Sequence, residues 1–157
     1  MISSLVNKYR IIPASLDHME PILADLRDSD RKEFSAMGTI WTLAHECRLT
    51  LQCSCEAHTV LVNEKPVMMF GVVPLNLVSG IGSPWLFGSK EMDNHSKKFI
   101  RYSRSFLQEL LKRWPVLINS VDNDNIKTKR WLEWMGFNIS NPVQFGNGQF
   151  CPFEIRG

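Results

Sequence analysis

The chain contains no apolar run of the ~18 residues that a membrane-spanning helix requires. It has four cysteines, Cys47, Cys53 and Cys55 close together and Cys151 far away. That is too few and too clustered for a disulfide scaffold in a chain of this length, so reduced thiols are expected. Charge of one sign is also missing. The 18 basic and 16 acidic residues leave a formal net charge of +2, which by itself does not predict a nucleic-acid partner. The start, Met1-Ile2-Ser3-Ser4-Leu5-Val6-Asn7-Lys8, lacks the basic beginning and apolar centre of a signal peptide, which makes a soluble intracellular protein the expectation. Repeats and low-complexity segments are absent too.

What is present is ordinary for a globular protein: 44% hydrophobic and 22% charged residues over 157 positions, the size of one domain spanning 1–157. The organising stretch is Ser83 to Phe137. It reads as a strand at Ser83-Pro84-Trp85-Leu86-Phe87-Gly88, a long helix from Asp93 to Trp114, a strand from Val116 to Val121, and a second helix from Asp124 to Met135. Two short apolar runs joined by a helix make a βαβ crossover, because parallel strands cannot be joined by a hairpin. On the long helix Phe99, Ser103, Phe106, Leu110 and Trp114 form the core face, with Leu107 and Leu111 beside them.

Upstream, Tyr9 to Ala14 reads as a first strand that Pro13 confines to an edge or ends. A helix follows over Leu16 to Leu26, with Pro21 expected to move its true start to about Glu20. Asp28-Ser29-Asp30 offers a cap for a helix from Arg31 to Met37, stopped by Gly38, and Ile40 to Leu51 carries a further helical pattern. His58–Val62 and Val67–Val73 flank the turn Asn63-Glu64-Lys65-Pro66 as a hairpin, and Pro74 to Gly82 is a loop. Downstream, Gly136 ends the last helix, Phe137-Asn138-Ile139 opens a strand, Pro142 to Gly148 is turn material, and Gln149 to Ile155 closes the sheet. The summed order is β-α-α-β-β-β-α-β-α-β-β: an α/β, three-layer fold around a mixed sheet of about seven strands.

Ligands of open α/β sheets bind beyond the carboxyl ends of the strands. Here those ends are Phe87-Gly88-Ser89-Lys90 and Val121-Asp122-Asn123-Asp124-Asn125, which should face each other. Candidate proton acceptors are His45 and Glu46, in the helical region before the hairpin, and Glu91 and Asp122 nearer the strand ends. The pattern His45-x-Cys47-x5-Cys53-x-Cys55-x2-His58 is tight for one tetrahedral zinc centre, and His45 and Cys47 would point to different faces of a helix, so no metal is expected. Lys97, Arg101 and Arg104 form a basic stripe, extended by Lys98, Lys112 and Arg113. Without aromatic residues between them, such a stripe reads as a solvated face rather than a nucleic-acid surface. Trp131 and Trp134, three apart, cannot both share the pocket of Leu132, so one is expected to be exposed and to mark a contact surface.

The run Asn123-Asp124-Asn125 followed by Lys127, Arg130, Trp131, Trp134, Met135, Gly136 and Phe137 resembles the Asn-led helix ending in Gly-Phe of the GNAT acetyltransferase superfamily, and the element order on either side agrees. The segments Gly71-Val72-Val73-Pro74, Ser83–Gly88, Phe99–Arg104 and Asp122–Phe137 also resemble a group of short phage proteins described as acetyltransferases. That group is related to the internal virion protein A of short-tailed coliphages, and the similarity runs over roughly 55 to 155.

The resemblance implies transfer of an acetyl group from acetyl-coenzyme A to a protein or small amine. It implies a setting in the host cytoplasm or the virion, and, as the alternative, a non-catalytic virion component or host-factor binder. It also implies a phosphate-gripping turn, Gln/Arg-x-x-Gly-x-Gly/Ala, before the long helix. Here that turn reads Gly88-Ser89-Lys90-Glu91-Met92-Asp93-Asn94-His95, without the motif, and puts Glu91 and Asp93 where an anion would sit. Lys90, His95, Lys97 and Lys98 are the cations able to offset them and meet a phosphate, while Asn123 or Asn125 would bond the pantetheine arm. Glu46 and Asp122 are the catalytic candidates, and Phe87, Gly88 and Ser89 belong to the cofactor-binding set. The tyrosine that in the family protonates the leaving thiolate, four residues before the Gly-Phe glycine, is Leu132 here; Tyr9 and Tyr102 are the only tyrosines.

Overall fold

A computed structural model describes residues 8–157; the reading of the chain start over 1–7 lies outside them. The elements run β1 (Tyr9–Pro13), α1 (Leu16–Ala24), α2 (Asp28–Met37), α3 (Leu43–Cys53), β2 (Glu56–Val62), β3 (Lys65–Asn76), β4 (Ile81–Gly88), a 3₁₀ turn (Lys90–His95), α4 (Ser96–Arg113), β5 (Val116–Asp122), α5 (Ile126–Met135), β6 (Asn138–Ile139), β7 (Val143–Phe145) and β8 (Gly148–Arg156). The eight strands form one mixed sheet in the order β1-β2-β3-β4-β5-β8-β6, with β7 paired to β8. Among the described residues only β4 and β5 run parallel, as the crossover requires, and the other pairings are antiparallel.

The two faces of the sheet carry separate cores. On one, Met19, Ile22 and Leu26 from α1 and its exit, with Cys47 of α3, bury Met69 and Phe87. On the other, Leu107, Leu110 and Trp114 pack with Leu132, Met135 and Phe137 over Val72, Leu117, Val121 and Phe153. Helices on both sides of a sheet give the expected three layers.

Several local expectations change, each for a physical reason. Three helices separate β1 from β2, one more than the summed order gives: the helical pattern at Ile40–Leu51 is the helix Leu43–Cys53, with Thr42 Oγ1 accepting the His45 N–H. Helix α1 begins at Leu16 rather than Glu20: the Ser15 N–H donates to His18 Nδ1, which secures the first turn, and Pro21 is carried inside the short helix. Helix α2 starts at Asp28 after Arg27, which makes no side-chain cap, so Asp28 and Asp30 stand in its first turn, where negative charge suits the helix dipole.

The hairpin turn is only Asn63-Glu64, both at positive φ, so Pro66 lies within β3. The loop at 74–82 narrows, since β3 runs to Asn76 and β4 starts at Ile81. The long helix starts at Ser96 after the 3₁₀ turn rather than at Asp93, and α5 starts at Ile126 with Asn125 as its cap. The 142–148 segment, read as turn, contains β7. Gly136 ends α5 at φ +111°, a conformation in which a side chain would be strained.

Candidate functional site

The parallel pair β4–β5 holds together over only two residue pairs, Ile81↔Val116 and Gly82↔Leu117. At the second of these, Gly82 is required by close approach. A Cβ there would lie 2.4 Å from Val72 Cγ1 and 3.0 Å from the Trp114 ring. Two residues on, Pro84 has no N–H to offer either neighbour. After Gly82 the strands part, bridged at Pro84 by one side chain, Asn119 Nδ2 donating to the Pro84 carbonyl at 2.6 Å. The opening belongs to a cleft of about 1670 Å³ lined by Pro84, Trp85 and Phe87 on one side and Asn119, Ser120 and Val121 on the other.

Helix α2 lies across the mouth of this wedge. Asp30 Oδ2 accepts the Gly88 N–H at the end of β4 (3.0 Å), and Glu33 Oε1 accepts the Asp122 N–H at the end of β5 (2.8 Å). These two carboxylates, three apart on one helix face, take the terminal donors of both parting strands. Asp30 is also held by Arg27 through Nε and Nη2, each at 2.9 Å. Burial pushes the Glu33 carboxyl above its ordinary range; the Asp122 N–H opposes this, the Asp30 and Asp122 charges add to it, and Arg27 reduces it. Cys47 beside them is no nucleophile: burial, then the Asp30 and Glu46 charges, push its thiol up to about 12.

The residues singled out from sequence fall into distinct places. Phe87 is buried, stacks on Trp85 at 5.6 Å and lines the cleft. The turn after Gly88 has spent its donors: the Ser89 N–H goes to Val67 O, the Lys90 N–H to Asp25 O and the Met92 N–H to Ser89 O. Ser89 itself is 2% exposed, and its Oγ has no partner among the described residues. His95 is held on both ring nitrogens, by the Tyr9 hydroxyl at Nδ1 (2.8 Å) and Glu91 at Nε2 (3.1 Å). Hydrogen bonds from His95 and Asn94 keep the Glu91 carboxyl below its usual range, and Asp93 pairs with Lys127 at 3.5 Å. Lys90 and Lys97 are exposed, and Lys98 lies against the rings of Tyr9 and Tyr102.

Asn123 and Asn125 part company. Asn123 Oδ1 accepts from Lys129 Nζ and Cys151 Sγ, which commits it elsewhere. Asn125 caps α5 by accepting the Thr128 N–H at 3.2 Å and borders the cleft. Asp122 is 6% exposed, and its carboxylate accepts the Asp124 N–H. Glu46 borders the cleft and accepts from Thr39 Oγ1 at 2.7 Å. Glu33 escaped the sequence reading, and Asp30 entered it only as part of a helix cap. The available signal was a capping residue and a carboxylate three positions on, which ordinarily denote a solvated helix start.

Leu132 stands buried at the tyrosine position. Of the tryptophan pair, Trp134 is exposed, while Trp131 Nε1 donates to Ser103 Oγ. The basic stripe is not free of aromatics as expected: the guanidinium of Arg101 lies 6.0 Å from the Tyr102 ring and that of Arg104 4.1 Å from the Trp134 ring. Folding brings α5 alongside α4, and Tyr102 follows Arg101 round the helix. Among the described residues, no group of three or more His, Cys, Asp or Glu is placed to hold a metal ion, all four cysteines are free, and no helix is long and apolar enough to cross a membrane.

The architecture is that of the GNAT acetyltransferases. The chain is similar to a GNAT-family acetyltransferase from Bacillus anthracis (TM-score 0.67, 13% identity, 95% of each chain). It is similar to a chimera of the spermidine N-acetyltransferase SpeG from Vibrio cholerae and hSSAT (0.68, 11%, 95% of each chain). It is also similar to RimL, a ribosomal-protein alpha-N-acetyltransferase in complex with coenzyme A (0.66, 8%, 95% of this chain and 94% of that one). No protein-family model matches the sequence, and no curated protein matches it.

Proposed function

We propose that the protein is an N-acyltransferase that moves an acetyl group from acetyl-coenzyme A to an amine on a protein or small molecule. The observation that carries this reading is the early parting of β4 and β5 after Gly82 and Leu117. Unpaired strand edges facing a gap offer backbone donors and acceptors to an extended amide-bearing chain, and pantetheine is such a chain. Thioester and amine held in line inside the cleft need little further help, because positioning supplies most of the acceleration in such transfers.

The donor's two ends fit differently. The wedge suits the pantetheine arm, with Asn119, Ser120 and Asn125 at its border. The turn at 88–95 does not offer the family's pyrophosphate grip, since Gly88, Ser89, Lys90 and Met92 have committed their N–H groups and Glu91 is ionised there. Phosphates would instead meet the side chains of Lys97 and Lys98 and of Lys127, where α4 and α5 begin. The missing tyrosine is no obstacle: a thiol of pKa about 8.5 leaves as thiolate without an acid beside it. Glu46 and Asp122 stand in this reading as acceptor-side and strand-end carboxylates.

The resemblance to phage acetyltransferases supports a host-cell setting for this chemistry, in the cytoplasm or the virion. A scaffold that binds a virion or host protein is what would remain if the donor did not enter. Titration calorimetry with acetyl-coenzyme A tests the reading, with Ser120→Trp placing an indole in the gap. Micromolar binding lost in the variant supports it; no heat from the wild type at millimolar donor overturns it.

A further inference from the structure

Strand β4 carries no carboxylate anywhere from Ile81 to Gly88, so any group that takes the acceptor's proton must come from another element. The carboxylates within reach of the wedge are few, and most are committed. Asp30 is gripped by Arg27 at two points and by the Gly88 N–H. Asp122 is buried, with its carboxylate on the Asp124 N–H. Glu46 holds the Thr39 hydroxyl, Asp93 pairs with Lys127, and Glu91, off the cleft, holds His95 and Asn94.

Glu33 differs. One oxygen is fixed on the Asp122 N–H at the open end of β5, the other has no hydrogen-bond partner among the described residues, and the side chain borders the cleft. The geometry points to Glu33 as the proton acceptor of the transfer, a carboxylate supplied by α2 and aimed by the backbone of β5. The inference rests on the acyltransfer reading and deepens it.

In the step assigned to Glu33, the amine nitrogen bonds to the thioester carbonyl carbon, the carbon–sulfur bond breaks, and the electron pair leaves on the thiolate of coenzyme A. The proton released by the nitrogen goes to the free oxygen of Glu33, giving the neutral carboxylic acid. The thiolate is protonated from solvent, and Glu33 returns its proton to solvent before the next turnover. Burial of Glu33 raises its basicity toward that needed for the task, in keeping with the position.

Glu33→Gln is the informative substitution, because the amide oxygen can still accept the Asp122 N–H while the side chain can no longer take a proton. Thiol release from acetyl-coenzyme A is followed against pH with spermidine, tyramine and a lysine-bearing peptide as acceptors, alongside calorimetry with the donor. The expected result is a kcat lower by about 100- to 10,000-fold and loss of the acid limb of the pH profile. Donor affinity should be unchanged, and Glu33→Asp should restore the limb in part.

If the wild type releases thiol and Glu33→Gln stays within about threefold of it with the limb intact, the assignment to Glu33 is wrong and acyl transfer stands. If the wild type binds no donor, or releases no thiol with any of the amines, both fall together. Should Glu33→Gln lose donor binding, Glu33→Asp decides: a retained but displaced acid limb supports the assignment, and an unmoved one refutes it.

Discussion

Glu33 Oε1 accepts the backbone N–H of Asp122 at 2.8 Å, which ties the middle of a surface helix to the last residue of the strand bordering the wedge. A carboxylate so placed is part of both the fold and the site, and its ionisation is felt in each.

The stability of the protein should therefore respond to pH through Glu33. Its folded pKa lies above the ordinary value of 4.5, chiefly because of burial. The sign follows: the contribution is fully present below 4.5 and is lost as pH rises through the higher folded value, where the buried group must ionise. Glu33→Gln removes that loss. Thermal melts should show the variant gaining on the wild type as pH is raised from about 4.5 to about 8, and a constant difference across that range would contradict the placement.

Glu56 should act in the opposite sense. Burial pushes its carboxyl up, but hydrogen bonds from Arg113, His58 and Trp114 together hold it below 4.5. With the folded pKa lowered, the contribution is present above 4.5 and is lost as pH falls through the folded value. Glu56→Gln should melt lower at neutral pH and show a shallower acid limb in a pH–stability profile.

Gly82 should tolerate no side chain. Its Cβ would fall 2.4 Å from Val72 Cγ1, inside the core under Trp114. Gly82→Ala should lose about 1–3 kcal/mol in urea denaturation, the usual cost of overpacking a filled interior. A loss within experimental error would mean that the strands are not pinned there.

The four thiols should divide by exposure. Cys53 and Cys55 are exposed, and Cys47 and Cys151 buried. A chromogenic disulfide reagent at about pH 8 should label the first two rapidly and leave Cys47, with its thiol near 12, until the protein is unfolded. Four fast thiols would show that both faces of the sheet, around Cys47 and around Cys151, are open.

The βαβ stretch could be read from the chain because its signals are local. Apolar runs at Ser83–Gly88 and Val116–Val121, a 3.6-residue stripe through Leu107, Leu110 and Trp114, and a glycine stop at Gly136 depend only on near neighbours, whereas Ile81 and Gly82, which pair with β5, read as loop. The candidate site was less legible. Phe87 lines the cleft, but the Gly88 N–H is taken by Asp30, Asn123 is engaged with Lys129, and the turn after Gly88 closes on itself as a 3₁₀ helix.

The amino-acid order by itself determined the alternation of strands and helices, the crossover, and the absence of a glycine-rich phosphate turn, since each follows from periodicity and residue type. Only the tertiary structure decided that the two parallel strands separate after Gly82 and that α2 crosses their ends. Those contacts join residues 58 and 89 positions apart, Asp30 to Gly88 and Glu33 to Asp122. An acidic pair on a helix looks the same in sequence whether it meets water or two unpaired backbone donors. The difference arises when the sheet places those donors beneath it.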